Sequence, residues 1–293
     1  MERYGITMDI KLTPYDSKLW DVYRGAYGNV CEMVQVVMGD LEPSSNPLKL
    51  RRLDPEDKDN YRIVFDNLCE NLTHQLSFYD ATYLVMPYMV KLLEKKKTEN
   101  DFDWQLTIIC EMGICLATDI PTNMGFEIKN EDIIESYKAS VDLFIEQTKQ
   151  FLNEHMEQLQ SLDDNTKSMF VTALMAIFVD REAAFTLILG AWEESEIFCN
   201  TCECEGYISF NNDFDKDDSD EGLSDEEFFE VSLKDITPAS SGNDTYNWYI
   251  DILNKLGAEN EAAIIPYYYG TLACPKCKTT KPVMNFIKDF YAS

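Results

Sequence analysis

From about residue 15 to 195, apolar residues recur at helical spacing. Tyr79, Tyr83, Met86, Val90 and Leu93 form one stripe, and Phe102, Leu106, Ile109, Gly113 and Leu116 a second. Ile134, Tyr137, Val141, Phe144, Thr148, Leu152, His155 and Leu159 make a long third. Phe170, Leu174, Ile177 and Phe178 lead to Asp180, after which Phe185, Leu189 and Trp192 continue the pattern. Polar, Pro- and Gly-bearing breaks at 41–47, 95–101, 118–125 and 161–166 suit helix caps and short connections. Pro87 falls inside a predicted helix, where it should kink the chain or mark a boundary. Consecutive helices with short connections predict a mainly α fold, either a bundle or an α-solenoid of stacked helix pairs. No repeat of fixed period is visible, so any repeats are degenerate.

The pattern changes after Trp192. Residues 197–210 alternate weakly, 211–227 are acidic and poor in apolar residues, and "EFFEVSLKDI" (227–236) reads as a strand. An amphipathic helix follows in "TYNWYIDILNKLG", with Trp248, Ile252 and Leu256 on one face. The apolar run "AAIIPYYYGTLA" ends at "CPKC", and "KPVMNFIKDFYAS" can form a short terminal helix. Two domains are expected: a helical one over 1–195, and a cysteine-bearing region over 196–293 with an acidic insertion and a helical tail.

"NLCENLTHQLSFYDATYLVMPYMVKLLE" (67–94), followed by "WQLTIICEMGICLA" (104–117), resembles a large group of bacterial HEAT-like proteins. The shared features are a Leu-Cys helix end, a polar His-Gln turn, a Tyr, and a small-residue helix with a central Pro. The likeness covers about a fifth of the chain. Where the group has "CHQG", Cys69 and His74 are here separated by "ENLT". Members often carry two CxxC knuckles near the C-terminus. The resemblance implies a HEAT-like helical repeat (α-solenoid) and little about activity, since such surfaces serve many partners.

Composition narrows the function classes. The chain has 293 residues, and 53 Asp and Glu oppose 25 Lys and Arg, a formal net charge of −28. That surface repels phosphate backbones and anionic headgroups and attracts cationic partners, which argues against nucleic-acid or membrane binding. The first residues lack the pattern of a secretory signal, and "SMFVTALMAIFV" (168–179) is too short to span a bilayer. The cysteines number nine. Cys31, Cys69, Cys110 and Cys115 sit singly in apolar helical patterns, as expected of reduced thiols in a cytoplasmic protein.

The remaining cysteines carry the candidate chemistry. Cys199-Asn-Thr-Cys202 and Cys274-Pro-Lys-Cys277 are two CxxC pairs with 71 residues between them. A CxxC turn presents two thiolates, and two such knuckles supply the four soft ligands of a closed tetrahedral zinc site. The expectation is a structural Zn2+ on Cys199, Cys202, Cys274 and Cys277, in a small zinc-ribbon-like element. The gap exceeds the usual spacing of such motifs, and redox dithiols or unmetallated thiols are the alternatives. Cys204 is either a spare thiol or a substitute for Cys202, which is favoured because it completes CxxC. Asp213, Asp215 and Asp217 copy the first acids of an EF-hand loop. Asp218 and Ser224, however, stand where the turn-making Gly and the bidentate Glu are needed, so a solvated acidic loop is expected.

No nucleophile elbow, phosphate loop, dinucleotide fingerprint or HExxH is present. His74 is expected in a turn and His155 on the long stripe, with no sign that they meet. The reading is a non-catalytic protein–protein binding scaffold, in the manner of an acidic immunity or antitoxin-like protein masking a basic partner. The alternative is an enzyme with dispersed carboxylates on the concave face of the solenoid.

Overall fold

The apolar periodicity resolves into helices separated by local stop signals. The computed structural model describes residues 10–42, 60–120, 130–190, 194–210, 229–240 and 244–292. Trp192, the acids at 213–217 and parts of the breaks at 41–47 and 118–125 lie outside them. The chain divides into two compact units, residues 1–155 and 156–293.

The first unit contains α1 (Leu19–Val22), α2 (Cys31–Met38), α3 (Asn60–Thr73), α4 (Ala81–Thr98), α5 (Phe102–Thr118) and most of α6 (Glu131–Gln160). α2 packs on α3, and α4 packs on α5. α2 stops at Gly39, whose φ of 84° is the left-handed turn that glycine adopts cheaply. α5 starts at Asp101, whose carboxylate accepts from the Trp104 N–H. Phe65, Leu68, Leu72, Val85, Met89 and Phe144 are fully buried, and removing a side chain of this size from water stabilises the fold by about 1.5–3 kcal/mol.

Two expectations change here. α4 continues through Pro87, which marks no boundary. Every residue from Ala81 to Val90 is buried, so packing on all sides offsets the lost backbone hydrogen bond. On α6, Ile133 rather than Ile134 is the buried residue, and the backbone leaves helical geometry at His155 (φ −124°, ψ 18°). His155 lies against the rings of Phe102 and Phe151. His74 sits in a short turn after α3, with its ring against that of Tyr27; the two histidines have different neighbours.

The second unit contains α7 (Asp164–Phe178) and α8 (Arg181–Gly190), read from sequence as the end of a helical domain closing at 195. It continues with β1 (Glu194–Cys199), β2 (Cys204–Ser209), β3 (Phe229–Ser232), β4 (Ile236–Thr237), α9 (Asp244–Lys255), α10 (Glu259–Tyr268), β5 (Thr271–Ala273), β6 (Thr280–Pro282) and α11 (Val283–Ala292). α7 packs on α8 and α9, and α11 lies on β1. The strands form two small sheets, β1-β2-β3 and β4-β5-β6.

Of the segment read as one strand over 227–236, the described part, from 229 on, is split between these sheets. β3 pairs parallel with β2, and β4 pairs antiparallel with β5. Between them Ser232 and Asp235 close a capping box: the Asp235 carboxylate accepts from the Ser232 N–H at 2.9 Å, and the Ser232 hydroxyl oxygen accepts from the Asp235 N–H. The box breaks the extended run and passes the chain from one sheet to the other. Gly206 makes the β2–β3 pairing possible, because a Cβ there would lie 2.1 Å from the Phe229 carbonyl oxygen. The architecture is mainly helical with a small sheet region toward the C-terminus. Among the described residues, no helix is long and apolar enough to cross a membrane.

Candidate metal centre

Each CxxC pair caps a β-hairpin. In the first hairpin β1 and β2 pair antiparallel, with Cys199 opposite Cys204. In the second, β5 and β6 pair with Ala273 opposite Thr280. The turns use the same backbone device. The residue after the second cysteine, Glu203 or Lys278, is left-handed at φ 55° or 62°. Its N–H donates to the carbonyl of the first cysteine, at 2.8 Å for Glu203–Cys199 and 2.9 Å for Lys278–Cys274. The Cys274 N–H also donates to the Thr279 carbonyl at 2.9 Å.

The two hairpin tips bring four sulfurs together. The Sγ atoms of Cys199, Cys202, Cys274 and Cys277 all lie within 4.8 Å of one another. Two approaches cross between knuckles: Cys199 to Cys277 at 3.6 Å and Cys202 to Cys274 at 3.7 Å. Four thiolates about 2.3 Å from a central ion would have sulfur–sulfur edges of about 3.8 Å, so the cluster has the dimensions of a tetrahedral thiolate site. Cys199 and Cys274 are fully buried, while Cys202 and Cys277 are half-buried. These four cysteines can hold a metal ion.

Hydrogen bonding differs between the knuckles. The Thr279 hydroxyl, 3.3 Å from Cys277 Sγ, and then the Thr279 N–H lower the Cys277 thiol to about 6. Burial raises Cys274, opposed by the N–H groups of Cys277 and Lys276. Burial and the neighbouring thiols push Cys202 above the usual thiol range. Four sulfurs this close cannot all ionise without a cation among them, which is why metal binding and proton release are coupled in such clusters.

Cys204 is not one of the four: its thiol donates to the Cys202 carbonyl at 3.4 Å and also meets the Cys202 thiol. Cys31, Cys69, Cys110 and Cys115 are free and buried in α2, α3 and α5. Burial pushes all four thiols up, which disfavours the reactive thiolate form.

The sequence reading missed the polar frame around the cluster, chiefly Thr279 and Lys281. Lys281 Nζ donates to Asn200 Oδ1 of the first knuckle at 3.2 Å, pairs with Asp289 on α11, and lies 4.3 Å from the centre of the Phe286 ring. Nothing in the local pattern distinguishes these residues from ordinary surface positions. Lys288 on α11 pairs with Glu182 on α8.

In the first unit a cleft of about 100 Å³ is bordered by Lys11, Pro14, Tyr83, Pro87, Asp132 and Ser136, among others. Its one carboxylate, Asp132, faces Lys11 at 3.8 Å. Ligand pockets usually enclose about 300–1,000 Å³, and acid–base work by carboxylates needs a converging pair.

Comparison of the chain with protein-family models, with curated proteins and with solved structures finds no match.

Proposed function

We propose that the protein is a non-catalytic binding scaffold for a basic protein partner, with a structural zinc ion in its second unit. The crossed cluster of four cysteines carries the metal part of this reading. All four ligands come from the chain and two are fully buried, so a tetrahedral ion would have no open position for water or substrate. Thiolate softness and this geometry favour zinc. Iron is the other ion such a site accepts, and its visible absorption distinguishes it.

The net charge of −28 supports the partner. An acidic chain steers and selects a basic one through complementary fields. The lysines beside the knuckles are engaged within the fold: Lys278 donates to the Pro275 carbonyl, Lys281 pairs with Asp289, and Lys288 pairs with Glu182. This supports a protein rather than a nucleic-acid partner. Packing of α2 on α3 and of α4 on α5 supports a HEAT-like array of helix pairs, and free buried cysteines support a reducing, cytoplasmic setting. An immunity or antitoxin role, in which this chain masks a basic toxin, is the specific form of the reading.

The test is affinity capture of the products of neighbouring genes by the full chain at several salt concentrations. A basic partner whose binding weakens as salt rises is expected. A search that finds no basic partner, or only salt-insensitive binding, contradicts the reading.

A further inference from the structure

Besides the cysteines, Lys281 reaches from the second hairpin to the tip of the first. It sits on β6, opposite Leu272 of β5, in the hairpin that carries Cys274 and Cys277. Its ammonium donates to Asn200 Oδ1 at 3.2 Å, and Asn200 is the residue immediately after Cys199. The same ammonium pairs with Asp289 on α11 and lies over the ring of Phe286, which is fully buried. The Lys281 side chain is only 14% exposed, so its charge is held in place by three groups on two elements. An ordinary surface lysine samples many rotamers.

We propose that Lys281 is a positioning residue for the four-cysteine site: it latches the first knuckle to the second hairpin and holds a cation close to the thiolates. The inference rests on the metal-site reading above. A zinc ion with four thiolates carries a net double negative charge. An ammonium hydrogen-bonded to Asn200, the residue after Cys199, offsets part of that charge and limits motion of the Asn200 turn. Outer groups of this kind orient the ligands and tune metal affinity without touching the metal. Asp289 and Phe286 position the latch in turn, one by charge and the other as a ring face that favours a cation.

The test uses the full chain loaded with zinc, or with cobalt(II) as a spectroscopic probe, in wild type, Lys281→Met, Lys281→Arg, Asn200→Ala and the Lys281→Met/Asn200→Ala pair. Transfer of zinc to a chelator is timed for each. Lys281→Met and Asn200→Ala should each retain about one zinc per chain but release it about 10-fold faster than wild type. The pair should release it no faster than Lys281→Met alone, because both changes break one contact. Lys281→Arg should restore most of the wild-type rate. The cobalt absorption bands should shift in Lys281→Met and return in Lys281→Arg, which a general loss of stability would not produce. Asn200 lies exposed at the turn, so Asn200→Ala keeps the test valid if Lys281→Met fails to fold. Wild-type release rates in both single variants, or fully additive effects in the pair, overturn the inference while leaving the metal site standing. A wild-type chain that binds no metal overturns the site reading itself.

Discussion

Glu203 and Lys278 occupy the same place in two different hairpins. Each follows the second cysteine of its knuckle in left-handed backbone, and each gives its N–H to the carbonyl of the first cysteine. The knuckles are therefore built alike although their sequences share only the cysteines. Left-handed geometry costs a non-glycine residue about 1–2 kcal/mol. Lys278→Gly should relieve part of that cost and stabilise the second unit by about 1 kcal/mol in urea denaturation, whereas a β-branched residue there should destabilise it.

In the box that passes the chain from β3 to β4, the Asp235 carboxylate accepts from the Ser232 N–H and the Ser232 hydroxyl oxygen accepts from the Asp235 N–H. Asp235→Ala should destabilise the unit by about 1 kcal/mol. It should also speed metal release, because each sheet carries one knuckle. Chelator-transfer kinetics beside urea melts check both.

Gly206 approaches the Phe229 carbonyl too closely for any side chain. Gly206→Ala should force β3 off β2 and cost more than about 2 kcal/mol. Loss of amide exchange protection over 204–209 and 229–232, with α4 and α5 unchanged, is the expected pattern.

Thr279 lowers the Cys277 thiol to about 6, against an ordinary value of 9.0. A group depressed by folding stabilises the native state above its unfolded value and loses that contribution as pH falls through its folded value. In metal-free protein, the Cys277 contribution should thus disappear between about pH 9 and pH 6. Iodoacetamide should label Cys277 before the other three thiols, with a midpoint near pH 6. Thr279→Val should move that midpoint upward.

The helical part of the chain was legible because its pattern is long and periodic. The stripe on α5 placed Leu106, Ile109, Gly113 and Leu116 inside, where they lie. Pro87 marks no boundary, because α4 is packed all round over that stretch and burial outweighs the local propensity. The split of 227–236 was hidden because Ser232 and Asp235 read as ordinary strand-edge residues until their side chains are seen closing a turn. The four cysteines were legible from spacing alone, since CxxC restricts how two thiols can point. Lys281 and Thr279 were not, because what distinguishes them is a contact across the fold. The acidic stretch at 213–217 lies outside the described residues, so its reading as a solvated loop rests on sequence.

Cys274→Ser against Cys204→Ser, each compared with wild type by elemental analysis of the purified full chain, tests the central claim most directly. About one zinc per chain is expected in wild type and in Cys204→Ser, and its loss in Cys274→Ser, with amide exchange rising over 194–292 while α4 and α5 stay protected. No bound metal in wild type, or zinc retained in full by Cys274→Ser, would contradict it.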